Sequence, residues 1–438
     1  NAYNCQETNR TRTLTPNDTL TVLSSLDNPN ANRGYVYVFA KHPTTGRAIK
    51  FDHLIGTSRV VGVGETITID YREKAPLAST QTMYLNKAGE IDRSLTAAGY
   101  LAPGVPGTVR GLETAHKKFG KLPWKTVVMP AVRLAEEGFV ISDSLARALN
   151  REVSGSMSKF PASVSAYGKP DGGQWVSGDK LILKDLGKTL RAIATDGPDV
   201  FYKGWIADLI EADMKANGGL ITKKDLAEYQ AKVRQPVTGS YKGYQIISMP
   251  PPSSGGVALI EMLNILENFD LKKNGRFSPQ NIHLMIEAMR RGFLDRARFL
   301  GDPDFTEIPI SKLISKDYAK TLAADINLEK SSSSIELGKD IVTKIIPKEN
   351  DETTHFSVYD KDGMAVSNTY TLEGGYGSHV VVNGAGFLLN NEMGDFNKKP
   401  GETNTRGDIG TPANLIAPGK RMLSSMTPTI VTKDGKVI

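Results

Sequence analysis

Apolar positions recur at the three-to-four-residue spacing of amphipathic helices through most of the chain before residue 330. The spacing predicts helices near 107–119, 127–137, 142–152, 199–216 and 223–231. Asp143 and Thr222 stand in N-cap regions, and Gly138 and Gly218 stand where helices stop. Tyr241 to Met249 reads as a strand. Pro250-Pro251-Pro252-Ser253-Ser254-Gly255-Gly256 then turns into an apolar helix, Val257 to Phe269. His283 to Arg298 is a second long helix. Downstream, Glu352 to Asp360 and Met364 to Thr371 predict two strands joined by a tight turn at Lys361-Asp362-Gly363. A polar stretch, Leu328 to Asn350, with Ser331-Ser332-Ser333-Ser334 inside it, separates the two regimes. Helices before and strands after predict a layered α+β protein, and periodicity alone admits several such folds.

Residues 1–64 are the least legible. Asn1 to Thr21 is polar, Tyr35 to Ala40 looks like a strand, and His42 to Arg47 looks like a turn. The 438 residues are 39% hydrophobic and 23% charged, which fits a globular protein with one large core or two domains. The net charge of +6 is spread among interspersed acids and bases, so no nucleic-acid partner is expected. No run of about 18 apolar residues predicts a membrane span. Cys5 is the only cysteine, which excludes an intrachain disulfide and a Cys-rich metal site. His42, His53, His116, His283, His355 and His379 have no close metal-ligand spacing, so neither a catalytic metal nor a cofactor is expected. Neither a G-x-S-x-G elbow nor a P-loop pattern appears. The chain opens at Asn1 without Met or a signal-peptide pattern, which fits a removed targeting segment or a fragment.

Thr353 and Thr354 open a strand just where the polar stretch ends. A cut before Thr353 would leave a free α-amine beside its own hydroxyl. An N-terminal amine can serve as the base for such a hydroxyl, and it titrates near pH ~7.7–8.0 when unperturbed. Thr371-Leu372-Glu373, Gly377-Ser378, Leu389-Asn390-Asn391-Glu392-Met393 with Asp395-Phe396, and Leu423-Ser424-Ser425-Met426-Thr427-Pro428 follow in order. This series closely resembles the small subunit of γ-glutamyltransferases (glutathione hydrolases), which are N-terminal-nucleophile enzymes. Upstream, the resemblance runs back through Pro250 to Gly256 and Pro130 to Phe139, as far as the strand Thr66 to Asp70 with Tyr71-Arg72-Glu73-Lys74-Ala75-Pro76. The family's usual Ala-rich helix and Gly-rich run have no counterpart in residues 1–64.

The resemblance implies an αββα sandwich and self-cleavage between Glu352 and Thr353. It divides the chain into an unassigned segment 1–64, a large-subunit-like region 65–352 and a small-subunit-like region 353–438. It implies that Thr353 attacks γ-glutamyl amides, glutathione among them, and passes the acyl group to water or to acceptor amino acids and peptides. Thr371 would orient the nucleophile. Arg72 would clamp the α-carboxylate with its planar fork, helped by the hydroxyls of Ser424 and Ser425. Glu373, Glu392 and Asp395 would receive the α-ammonium at an opposite sub-site. His355 is read as a hydrogen-bonded strand residue, since the amine of Thr353 already supplies a base. A periplasmic or extracellular location is implied as well. The family pattern continues into a Gly-Gly pair supplying oxyanion-hole amides, which this sequence does not show. Such donors are worth about 2.7–4 kcal/mol, so the chain alone is expected to be a poor catalyst. The loop Lys398 to Pro418 lacks the aromatic lid of some relatives, so a more open site is expected. Two alternatives stay open: a glutaryl-type β-lactam acylase of the same fold, and an inert relative acting as a binding protein.

Overall fold

The computed structural model describes residues 58–60, 66–344, 354–360, 363–404 and 409–438. The strand expected at Tyr35 to Ala40, the turn at His42 to Arg47, Thr353, and Lys361-Asp362 lie outside them. Nine strands build the two larger sheets: β1 Ser58–Val60, β2 Ile67–Asp70, β3 Lys232–Arg234, β4 Val237–Tyr241, β5 Tyr244–Ser248, β6 Thr354–Tyr359, β7 Ala365–Tyr370, β8 Thr429–Lys433 and β9 Lys436–Val437. The first sheet runs β3-β2-β1-β7-β6 and the second β9-β8-β5-β4, with every pairing antiparallel. With the helices packed on them, this is an α+β fold.

The strand expected at Tyr241 to Met249 begins inside a hairpin. Lys242 (φ 49°) and Gly243 (φ 85°) turn the chain between β4 and β5, so Tyr241 faces Tyr244 across the ladder. Asp434 (φ 50°) and Gly435 (φ 74°) do the same between β8 and β9. Positive φ at both central residues gives the turn whose twist matches paired strands, and glycine at the second position makes it accessible. The β6–β7 connection is tied by Asp360, which accepts Met364 N–H on its carboxylate at 2.8 Å.

Helix α1, Thr108–Phe119, covers the first sheet, where Ile67, Ile69 and Tyr71 pack with Ala115 and Phe119. Helix α2, Trp124–Glu137, stops at Gly138 (φ 76°). Helix α3, Lys184–Asp196, was not foreseen; it packs on α2, and its Thr189 hydroxyl donates to the Ala385 carbonyl at 2.7 Å. The single helix expected over 199–216 is broken. A turn at Asp199–Tyr202 ends at Lys203, and the extended Gly204 (ψ −159°) precedes α4, Trp205–Ala216. Helix α5, Gly255–Leu266, lies under the second sheet, where Val257 and Ile260 meet Val237 and Ile246. Helix α6, Pro279–Phe299, is capped by Ser278, whose Oγ accepts Asn281 N–H at 3.1 Å, and packs on α5. The two sheets touch through Ile247, Ala365 and Ile430. No helix of the described residues is long and apolar enough to cross a membrane.

Between α5 and α6 the carboxyl of Glu261 is 1% exposed. Burial first, then the neighbouring Asp295, pushes its pKa up to about 9. The folded pKa lies above the unfolded one, so the stabilisation is complete at acid pH and is lost as pH rises through 9. Denaturant unfolding at pH 6, 7 and 8 should show stability falling by up to about 1.4 kcal/mol per pH unit from this proton. Glu261→Gln should flatten that slope; an unchanged slope would remove Glu261 as its source.

Candidate active site

Where β2 ends, Asp70 redirects the chain. Its carboxylate accepts Arg72 N–H at 3.0 Å and pairs with Arg234 at 2.8 Å and Arg421 at 3.3 Å. Tyr229 O–H holds the Arg72 carbonyl at 2.8 Å. Arg72 is thereby turned into the interior, where only 4% of its side chain is exposed. Its Nη1 stands 2.5 Å from the Glu392 carboxylate and 3.7 Å from that of Glu73, and its Nη2 pairs with Asp395. Its Nε–H donates to the Met422 carbonyl at 3.3 Å, and Nη2 to that of Leu423 at 3.4 Å. Arg72, expected on the carboxylate side, and Glu392 and Asp395, expected on the ammonium side, thus meet in one paired cluster.

Buried amides fix the acidic segments. Asn390 exchanges hydrogen bonds with both backbone groups of Gly104, at 2.9 and 3.0 Å, and accepts Glu392 N–H at 3.1 Å. Asn391 N–H donates to the Leu372 carbonyl at 2.9 Å, and its side chain accepts Gly374 N–H at 2.9 Å. These bonds lace the Thr371–Gly374 loop onto the Asn390–Asp395 segment. Glu373 takes the left-handed conformation (φ 74°), and its N–H donates to Thr371 Oγ1 at 2.8 Å. Its carboxylate lies so near Gly394 that a Cβ there would stand 3.1 Å from Oε1. Asn414 ties Asp395 to the next segment, donating to the Asp395 carbonyl and accepting Leu423 N–H, both at 2.8 Å.

Ser424 sits against the turn that starts α5. Its N–H donates to the Pro252 carbonyl at 2.9 Å, and its carbonyl accepts the N–H and O–H of Ser254 at 2.8 and 2.7 Å. Arg72, Thr371 and Ser424 line one pocket, together with Tyr71, Glu73 and Ser253. Ser425 is outside that lining. It is exposed, and its Oγ accepts an N–H of Arg296 at 3.1 Å. Thr353 lies outside the described residues; Thr354, next in sequence, pairs with Tyr370, the neighbour of Thr371. His355 bonds Thr369 Oγ1 at 2.7 Å, and burial lowers its pKa.

Charge is tightly compensated here. Burial raises the pKa of Glu392 well above the usual carboxylate range, Arg72 opposes this, and the neighbouring acids reinforce it. Burial raises Glu73 as well, against the same arginine. Burial alone would lower Arg72, but Glu392, Asp395 and Glu73 together hold it above its ordinary value. Glu73, Asn414 and Arg296 were given no site role in the sequence reading. Glu73 follows Arg72 directly, and strand alternation would have sent it to the other face; the strand has already ended at Asp70. Asn414 and Arg296 carry no local signal, because their contacts are remote in sequence.

Residues 60–438 match the family model described as gamma-glutamyltranspeptidase. The glutathione hydrolase proenzyme of Escherichia coli (strain K12) is 47% identical over 375 residues, which are 85% of this chain and 64% of that protein. The crystal structure of Helicobacter pylori gamma-glutamyltranspeptidase superposes with a TM-score of 0.62 and 44% identity, over 67% of this chain and 83% of that one. The cephalosporin acylase from Bacillus halodurans superposes with a TM-score of 0.73 and 25% identity, over 87% of this chain and 66% of that one. This chain belongs to the gamma-glutamyltranspeptidase family. It spans 64% of the length of the Escherichia coli relative.

The buried cluster should announce itself in stability. Arg72→Ala leaves Glu392, 0% exposed, without its cation, and breaking such a pair costs roughly 3–5 kcal/mol in denaturant unfolding. Adding Glu392→Gln should recover part of that loss. A cost below about 1 kcal/mol for the single change would mean that the pair holds nothing together.

Proposed function

We propose that the protein cleaves γ-glutamyl amides through an acyl-enzyme on Thr353, after self-cleavage between Glu352 and Thr353. The observation that carries this reading is the meeting of Arg72, Thr371 and Ser424 in one pocket, with Glu392 and Asp395 paired to Arg72. A γ-glutamyl group ends in a zwitterionic amino acid, and this cluster offers both complementary charges within one side chain's reach. The α-carboxylate competes with the acids for Arg72, while the α-ammonium competes with Arg72 for Asp395, Glu392 and Glu373. Ser424 and Ser425 add hydroxyls on the carboxylate side.

The α-amine of Thr353 takes the proton of its own hydroxyl as Oγ1 attacks the γ-carbonyl carbon. The tetrahedral adduct collapses, the amine leaving group takes the proton and departs, and an ester remains. Water or an acceptor amino acid or peptide then attacks the ester and releases the γ-glutamyl group. Thr371, in the loop that follows β7, orients the nucleophile. Glutathione is the donor implied by the family. The division at 352/353 separates a region 65–352 from a region 353–438, which stay associated. The facing of two sheets through Ile247, Ala365 and Ile430, with α1 outside one and α5 outside the other, supports the four-layer αββα arrangement. Export to the periplasm or beyond belongs to the same reading and rests on the family resemblance.

One observation favours a second reading. The likeness to a cephalosporin acylase fits a glutaryl-type acylase, whose acyl group lacks the α-ammonium. Matched γ-glutamyl and glutaryl anilides separate the two, because a site with buried acids discriminates against an analogue lacking the group that pairs with them. The γ-glutamyl compound should have the higher kcat/KM, and Glu373→Gln should narrow the gap. A preference for the glutaryl compound in the unsubstituted protein hands the assignment to the acylase.

Self-cleavage is tested by mass spectrometry. The protein should contain a fragment beginning at Thr353. Thr353→Ala should remain one chain and release no anilide, whereas Thr353→Ser should keep part of both activities. Efficient cleavage in the alanine variant would falsify the nucleophile assignment.

A further inference from the structure

The polar stretch that begins at Leu328 was expected to part the helical half of the chain from the strands. As far as Asp340 it is laid along α6. His283 Nε2–H donates to the Asn327 carbonyl at 2.7 Å, and the Glu287 carboxylate accepts Ser332 N–H at 2.9 Å. Arg290 donates to Ser334 Oγ. Arg298 donates to the Leu337 carbonyl at 3.1 Å and grips Asp340 with two bonds, Nη2 to Oδ1 at 2.7 Å and Nε to Oδ2 at 2.9 Å. Positions 283, 287, 290 and 298 recur at the spacing of one helix face, and their partners follow in the same order.

These bonds carry the placement. Between 327 and 342 only Gly338 is buried, where a Cβ would stand 3.4 Å from Leu294 of α6. The turn Ser334–Leu337 buries none of its residues. A stretch without apolar burial offsets its ordering entropy through polar contacts alone, and single hydrogen bonds near water contribute little. The Arg298–Asp340 pair is the strongest of them, since a planar fork on a carboxylate joins charge to geometry. Arg298 is itself braced from behind by Asp295 at 3.4 Å, whose other oxygen accepts Tyr318 O–H.

What flanks this arm gives its placement a use. The arm ends in Val342–Lys344, paired with Thr403–Asn404, and β6 is anchored from Thr354 onward. The peptide between Glu352 and Thr353 falls in the nine residues, 345–353, between those anchors. We infer that α6 is a positioning element for self-cleavage: Arg298, acting through Asp340 and Leu337, holds the arm upstream of the scissile peptide and keeps its tether short. This rests on the Thr353 reading above. Without the α6 contacts and the short pairing they support, the nearest buried anchor upstream is Ile326, and the tether becomes 327–353, three times as long. Loop-closure statistics then make the productive approach about fivefold rarer.

The test follows freshly synthesised full chain by mass spectrometry, timing the appearance of the fragment that begins at Thr353. Arg298→Gln and Asp340→Asn should each slow it about two- to fivefold, and Arg298→Lys should regain part of the rate. Amide hydrogen exchange should rise at Ser332, Ile341 and Val342 in the two slow variants and stay unchanged in the β6–β7 ladder. The Asp340 side chain is 52% exposed, so Asp340→Asn decides the matter if Arg298→Gln does not fold. Cleavage at the unsubstituted rate in the variants that fold overturns the inference, as does slowing accompanied by lost protection in β6 and β7; either leaves the Thr353 reading standing. An unsubstituted chain that never yields the fragment sinks the Thr353 reading, and this inference with it.

Discussion

Arg72 brings a permanent positive charge into the interior, with only 4% of its side chain exposed, and what compensates that charge decides where three distant segments lie. Glu392 and Asp395 arrive from one segment, the Met422 and Leu423 carbonyls from another, and Arg72 itself from the exit of β2. An ion stripped of its hydration is tolerable only when its partners are complete. The cluster is therefore a constraint on the whole chain: displace one segment and a charge is left bare. The same compensation underlies the proposed fit to a zwitterion, because each half of such a ligand would replace a contact that already exists.

Second in importance are neutral amides. Asn390, Asn391 and Asn414 make bonds of about 3 Å that hold the acidic segments to Gly104, Gly374 and Leu423. Buried amides with satisfied donors and acceptors specify one arrangement, whereas apolar packing alone tolerates sliding. Glu373 is fixed in the same way, with its backbone held in the left-handed region by Thr371.

Much of this was legible in the sequence. Arg72, Glu373, Glu392, Asp395 and Ser424 stand in short, ordered motifs, and each motif is local. The long helices at α5 and α6 and the β6–β7 pair were legible too, because periodicity is a local property. What escaped were features set by distance or by one glycine. Arg296 reads in isolation as one charge on an amphipathic helix, and nothing near it in sequence points to Ser425. The turn at Lys242-Gly243 was read as part of one strand, because the flanking residues keep their β character on both sides of it. The break at Gly204 was missed because helical spacing resumes in register beyond it.

The ladder between β6 and β7 has a mechanical consequence. All six residues of β6, Thr354 to Tyr359, pair with β7, and among the described residues β6 pairs with no other strand. A chain scission just upstream of Thr354 would cut a covalent link and leave every rung of that ladder in place. Most freshly made chain termini fray; here the ladder would still hold the strand from its first residue, Thr354, which pairs with Tyr370.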